Sequence, residues 1–241
     1  LSTPFDEESA DFLDSLHVSA FKIPSGEVIN HPLLEHIARK NKPVLMSSGM
    51  CTISEVQEAV NCIRQTGNNS LALFHCVSNY PTNPKECNLR VMLLMEELFQ
   101  VPCGWSDHTE GIDISLAAVA LGAKILEKHF TLDKTLPGPD HKASLEPKEL
   151  KELVLSTQRV FLALGNKKKE PQESEKQIAI SIRKSIFTKK DMSAGDIIHK
   201  DDVIFLRPGT GLYPSQIHRI LGKRLRKDLE KYSNILDSDL E

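Results

Sequence analysis

The sequence predicts an α/β fold: a (β/α)₈ barrel of the TIM type followed by a small, separate β-rich module. Three observations lead there. Apolar, β-rich runs alternate with amphipathic helical stretches, polar residues recur at the ends of those runs, and the composition changes after Gly165. Strands and helices alternating every ~20–30 residues imply βαβ units around a parallel sheet. Polar strand ends suit a barrel, whose sites form at the C-terminal ends of its strands. No GxGxxG follows the first run, so a dinucleotide-binding fold has no support.

The runs are LSTPF (1–5), AFKIPSG (20–26), PVLMSSG (43–49), LALFHCVS (71–78), VPCGWSD (101–107) and AKILEKHF (123–130). They are nearly continuous apolar stretches, as expected for strands covered on both faces. Helices are predicted at 6–16, 31–40, 52–66, 88–99, 112–121 and 146–164. The third is the clearest: Thr52 to Glu55 forms a capping box, Ile53, Val56, Val60 and Ile63 line one face, and Gly67 stops it. Six strands fall short of the eight that closure needs. The expectation is therefore a partial barrel over 1–165, lacking its first two strand–helix units.

After Gly165, the polar stretch 166–176 with Pro171 reads as a linker. Residues 177–241 carry short β-like pieces (IAISI, SIFTKK, DVIFL) and turn signals at Ser193–Asp196 and Pro208–Gly211. A module of this size has little core of its own.

The 241 residues are 40% hydrophobic and 26% charged, with a formal net charge of −3. That balance gives no general attraction to nucleic acid or anionic membranes, and Lys167–Lys169 reads as solvated linker. No apolar run nears the ~20 residues of a membrane span. Five cysteines without CxxC spacing point to a reduced, cytoplasmic protein. Cys76, beside His75, reads as a small buried strand residue rather than a nucleophile.

Strand ends supply Thr3, Lys22, Ser25, Ser47, Ser48, Ser78, Ser106, Asp107, His108 and His129. Hydroxyls, an ammonium and helix N-termini suit a small anion such as phosphate or carboxylate. For each serine alone a turn or cap role is the favoured reading, and it is the recurrence at most strand ends that points to a site. His108 and His129 end consecutive strands, so two imidazoles with oxygen neighbours can hold a divalent metal with open positions. Each is equally a hydrogen-bonded core histidine. Glu27 and Asp140, the latter in a loop stiffened by Pro137 and Pro139, can orient or deprotonate sugar hydroxyls. Tyr80 offers a phenol, and His141 receives no role.

These residues lie in sequences that carry a resemblance. FKIPSGE, PVLMSSGM, HCVSNYPT, GWSDHTEG and LEKHFTLDKTLPGPDHKASLEP together resemble the N-acetylneuraminate (sialic acid) synthases. The tail RKSIFTKKDMSAGDII with FLRPGTGL resembles that family's C-terminal SAF domain, similar to type III antifreeze protein. The resemblance implies a TIM barrel, here strands three to eight, joined to an SAF domain in a domain-swapped homodimer. It implies condensation of phosphoenolpyruvate with N-acetylmannosamine or a related N-acyl amino sugar, releasing phosphate. The implied cofactor is a divalent metal, Mn²⁺ first, with Mg²⁺ or Co²⁺ as alternatives, bound by His108 and His129. Thr3, Lys22, Ser25, Ser47, Ser78 and Ser106 would hold phosphoenolpyruvate, Ser78 replacing the asparagine frequent at that position. Glu27, Tyr80, Asp140 and Arg207 would contact the amino sugar, Arg207 from the partner subunit. Glu27, Lys22, Tyr80 and Asp140 are the expected catalytic groups. The family's first two strands also carry an active-site glutamate and lysine, which this stretch of sequence does not contain.

Alternatives stay open at this stage. A sister enzyme making legionaminic or pseudaminic acid fits the same motifs. A metal-dependent aldolase or hydrolase would release no phosphate from phosphoenolpyruvate. A catalytically incomplete fragment or binding module is the non-enzymatic reading, but Lys223, Arg224, Arg226 and Lys227 argue against a flat ice-binding face.

Overall fold

A computed structural model describes residues 1–241, which divide into two compact units, Leu1–Asn166 and Lys167–Glu241. The first unit holds one parallel sheet in the order β1 (Phe21–Ile23), β2 (Val44–Ser47), β3 (Leu71–Cys76), β4 (Cys103–Asp107) and β5 (Leu126–Lys128). Helices α1 (Glu7–Ser15), α2 (His31–Ala38), α3 (Ile53–Gln65), α4 (Arg90–Phe99), α5 (Asp113–Leu121) and α6 (Pro147–Leu164) alternate with them. The parallel pairing forces each connection to cross over, and the helices supply those crossovers.

Local chemistry sets the boundaries. Thr52 and Glu55 cap α3 reciprocally, as their spacing predicts. At α6 the Glu149 carboxylate accepts from the Glu146 N–H at 2.9 Å, with Pro147 in the first turn. The inner faces of the helices bury Leu34, Ile37, Val60, Ile63, Met95 and Phe99 against the sheet, each at most 1% exposed. Fully burying side chains of this size stabilises by about 1.5–3 kcal/mol apiece before the entropy of ordering is counted.

The sheet curls as a barrel does. Four inter-strand steps in a flat sheet would separate β1 from β5 by roughly 19 Å. Yet Lys22 of β1 and Glu127 of β5 are in contact, with Nζ and the carboxylate oxygens 3.0 Å apart. Only a strongly curved sheet brings those side chains together. The fold is thus a partial TIM-type barrel.

Two expectations need correction. The run 1–5 is not a strand: it contributes a single parallel bridge from Ser2 to Phe21. Pro4 has no N–H for a ladder, and Asp6 at once caps α1 through the Ser9 N–H. The second correction is IAISI, which is helical within α7 (Glu173–Ile182). The Glu175 carboxylate accepts from the Gln172 N–H at 2.7 Å, and the helix starts inside the expected linker. Short apolar runs do not separate strand from helix by period.

In the second unit β6 (Ser185–Thr188) pairs antiparallel with β7 (Val203–Leu206). Single bridges such as Met192–Leu229 and Leu225–Leu240 extend this into a small β-rich body. Its core gathers Ile186, Ile198, Ile220, Leu225 and Ile235, all at most 1% exposed.

Candidate active site

Strand register determines which side chains share the concave face. Ser47 pairs with Phe74, Cys76 with Ser106, and Ser106 with Glu127. Partners in a ladder point to the same side, so Cys76, Ser106 and Glu127 form one row. The Ser106 hydroxyl donates to Glu127 Oε1 at 2.6 Å, and Lys22 joins the same carboxylate from across the barrel. Lys22 is buried, its Nζ 5.3 Å from the centre of the Phe74 ring. Its charge therefore meets a carboxylate and an aromatic face before any ligand arrives.

The expected serines gather around one glycine. A side chain on Gly49 would meet Ser78 Oγ at 2.2 Å and Cys76 Sγ and Ser25 Oγ at 2.9 Å. The absent Cβ is what lets the ends of β1, β2 and β3 converge. The Gly49 N–H donates to Ser25 Oγ at 2.9 Å. Ser47 is buried with its hydroxyl unpartnered. Ser48 instead donates to the Phe74 carbonyl and serves the backbone. Thr3 follows the Ser2 bridge to β1 and so stands beside Lys22, partly exposed.

Beyond the strand ends lies an aromatic triad. The rings of His108 and His129 are 5.2 Å apart at 71°, and Tyr80 packs 4.2 Å from His108 and 5.5 Å from His129. His108 Nδ1 lies 2.7 Å from the Val77 carbonyl, so that nitrogen carries the proton and Nε2 keeps its lone pair. Burial pushes the His108 pKa down, favouring the neutral imidazole. Burial, and then the negative charge around it, pushes the Tyr80 phenol up, keeping it protonated.

Two imidazoles this close suit one divalent cation, since metal–nitrogen bonds of about 2.1 Å span such a gap. No group of three or more His, Cys, Asp or Glu side chains converges. The pair therefore offers two ligands and leaves other positions to substrate or water. Asp140 Oδ2 stands 3.8 Å from His129 Nδ1, on an exposed loop. Glu27 is half-buried in the turn after β1 and accepts from Asn30 Nδ2 at 2.7 Å.

Arg207 belongs to the second unit. It is exposed, and its Nε donates to the Ile182 carbonyl at 2.8 Å. The sequence reading missed Glu127. The signal was present, because Glu127 stands two residues before His129 in the run 123–130, and the period of two along an extended chain gives both the same side.

Residues 1–169 match the model of the NeuB family, and residues 183–241 match that of the SAF domain. The chain belongs to the NeuB family. Among its NeuB relatives, an N,N'-diacetyllegionaminic acid synthase of Legionella pneumophila is 45% identical over 245 aligned residues, covering all of this chain and 69% of that protein. The N-acetylneuraminic acid (sialic acid) synthetase of Leptospira borgpetersenii, solved in complex with citrate, shares 41% identity over 73% of this chain and 61% of its own, with a TM-score of 0.69. A putative spore coat polysaccharide biosynthesis protein E of Chromobacterium violaceum superposes with a TM-score of 0.78 at 27% identity, over 99% of this chain and 72% of its own. This NeuB chain is thus kin to synthases of nonulosonic acids. No helix is long and apolar enough to cross a membrane.

Proposed function

We propose that this chain carries the site of a nonulosonic acid synthase that condenses phosphoenolpyruvate with an N-acyl amino sugar and releases phosphate. One observation carries the reading: an anion-binding row and a pair of free-edged imidazoles occupy adjacent levels of one barrel mouth. Lys22, the hydroxyls of Ser25, Ser47, Ser78 and Ser106, and Thr3 bind the phosphate and carboxylate of phosphoenolpyruvate. These groups offset the mutual repulsion of the two anions. Glu27, Tyr80 and Asp140 face the sugar, with Arg207 supplied by a second copy of the chain.

Carbon 3 of phosphoenolpyruvate attacks the aldehyde carbon of the open-chain sugar, whose oxygen takes a proton and becomes a hydroxyl. Water then adds to the cationic carbon 2, and its released proton goes to a carboxylate. Glu127, bonded into the phosphoenolpyruvate row, is the carboxylate available there. The tetrahedral carbon 2 expels phosphate by C–O cleavage, its hydroxyl proton leaves with the phosphate, and carbon 2 becomes a ketone. Manganese or a similar cation, when held by His108 and His129, supplies Lewis-acid polarisation of a carbonyl oxygen. Holding two small substrates in contact contributes most, because it replaces an unfavourable encounter.

Two sugars are candidates, N-acetylmannosamine and a diacetamido-trideoxy hexose. The 45% identity to a legionaminic acid synthase favours the second. Phosphate release and product mass, measured with each sugar, Mn²⁺ and phosphoenolpyruvate, test the proposal. His108→Ala and His129→Ala are expected to abolish metal-dependent product and Mn²⁺ binding. Phosphate release without a sugar, or full metal binding in both variants, contradicts it.

A further inference from the structure

Asp107 and Lys128 are buried charges that the reaction above does not use. Asp107 is fully buried and the Lys128 side chain is 3% exposed. They are partners in the last rung of the β4–β5 ladder, with Nζ 3.2 Å from Oδ2. Residues alternate in direction along a strand, so the pair faces away from Ser106 and Glu127. Each member immediately precedes one histidine of the mouth, Asp107 before His108 and Lys128 before His129.

The bonds extend past that rung. The Asp107 carboxylate accepts from the Thr109 N–H at 2.8 Å, the Thr109 hydroxyl at 2.7 Å and the Ser115 hydroxyl. Lys128 Nζ donates to the Thr109 carbonyl. One ammonium beside His129 therefore grips both residues that flank His108. The ladder ends at this rung, so no strand hydrogen bonds tie the two histidines to one another.

Joining two strands does not require buried charge. Taking two ions out of water is costly, and an apolar pair of similar volume is often neutral or stabilising. A saturated, directional network does something an apolar pair cannot, which is to fix backbone geometry. We propose that Asp107 and Lys128 are positioning residues that set the separation and orientation of the His108 and His129 rings. The claim concerns ring placement in the chain itself. Its consequence for metal affinity rests on the function proposed above.

Nuclear magnetic resonance of the full chain without added metal tests ring placement. Imidazole signals are assigned with His108→Gln and His129→Gln, and the cross-peak between the rings is recorded. Lys128→Met is expected to shift both signals and weaken the cross-peak while circular dichroism stays native. Ile63→Val, which loosens the core in α3, is expected to leave them in place. Mn²⁺ binding, followed by electron paramagnetic resonance, should weaken about tenfold in Lys128→Met, the scale seen when groups supporting metal ligands are lost. Ring signals and cross-peak identical to wild type overturn the proposal. If Lys128→Met does not fold, Ser115→Ala decides by the same signals, because it strips one bond from Asp107. Unchanged Mn²⁺ affinity in His108→Gln removes the metal reading alone, since the metal-free signals still decide ring placement.

Discussion

Ser47 shows what a single residue contributes at the barrel mouth. Its hydroxyl is buried and unpartnered, a condition that costs about 1–3 kcal/mol where no water compensates. A ligand oxygen accepting that hydroxyl would recover the loss. Ser47→Ala is therefore expected to leave the ligand-free chain as stable or up to about 1 kcal/mol more stable. The same change should weaken phosphoenolpyruvate binding about tenfold, because hydrogen bonds to charged groups are worth ~1.5–3 kcal/mol. Thermal melting and calorimetry check both, and a lower melting temperature with unchanged affinity contradicts the role. Lys22, Ser106 and the two histidines were legible in the sequence because they end β-rich runs. Glu127 was legible only through alternation along its strand. His141 was not legible at all: its Nδ1 lies 2.8 Å from Thr131 Oγ1 and its ring packs against Gly138, a contact set by loop geometry that no periodicity encodes.

Elements carry the next set of consequences, and in the second unit Asp202 is the clearest. It sits in the 3₁₀ turn before β7, largely buried. The Lys190 ammonium at 2.8 Å, and then the His199 N–H at 2.9 Å, hold its carboxyl below the usual carboxylate range. A depressed pKa means that the folded form binds fewer protons than the unfolded one. The stabilisation is then complete above the ordinary carboxylate pKa of about 3.9 and is lost as pH falls through the folded value. Asp202→Asn should lower the melting temperature of the full chain at pH 7 and flatten its loss between pH 7 and about 2.5. Calorimetry at several pH values checks this, and parallel curves for variant and wild type refute it. Elements with strong local signals, such as the capped α3, were legible from sequence. Those that failed, LSTPF and IAISI, are short apolar runs whose state was settled by a proline and by a capping pair rather than by hydrophobic pattern. The parallel sheet was legible as alternation, but the curvature that joins Lys22 to Glu127 arises only when five strands pack together.

At the scale of the whole molecule the question is which site Arg207 serves. Its unit is compact in its own right, and the proposed function assigns its guanidinium to the amino sugar bound by a second copy. Closed twofold assemblies make such sharing testable by mixing. His108→Ala disables the histidine pair of its own chain, whereas Arg207→Ala disables whichever site its arginine reaches. Unfolded together and refolded as a mixture, the two variants should form about half mixed dimers, by random pairing. If Arg207 acts across the dimer, the Arg207→Ala chain keeps its histidines and receives an intact arginine from its partner. One site in each mixed dimer then works, restoring about a quarter of wild-type phosphate release. If Arg207 acts within its own chain, every site in the mixture lacks one group and the mixture stays as inactive as the separate variants. Phosphate release before and after refolding distinguishes the two, and an unrestored mixture rejects the shared site.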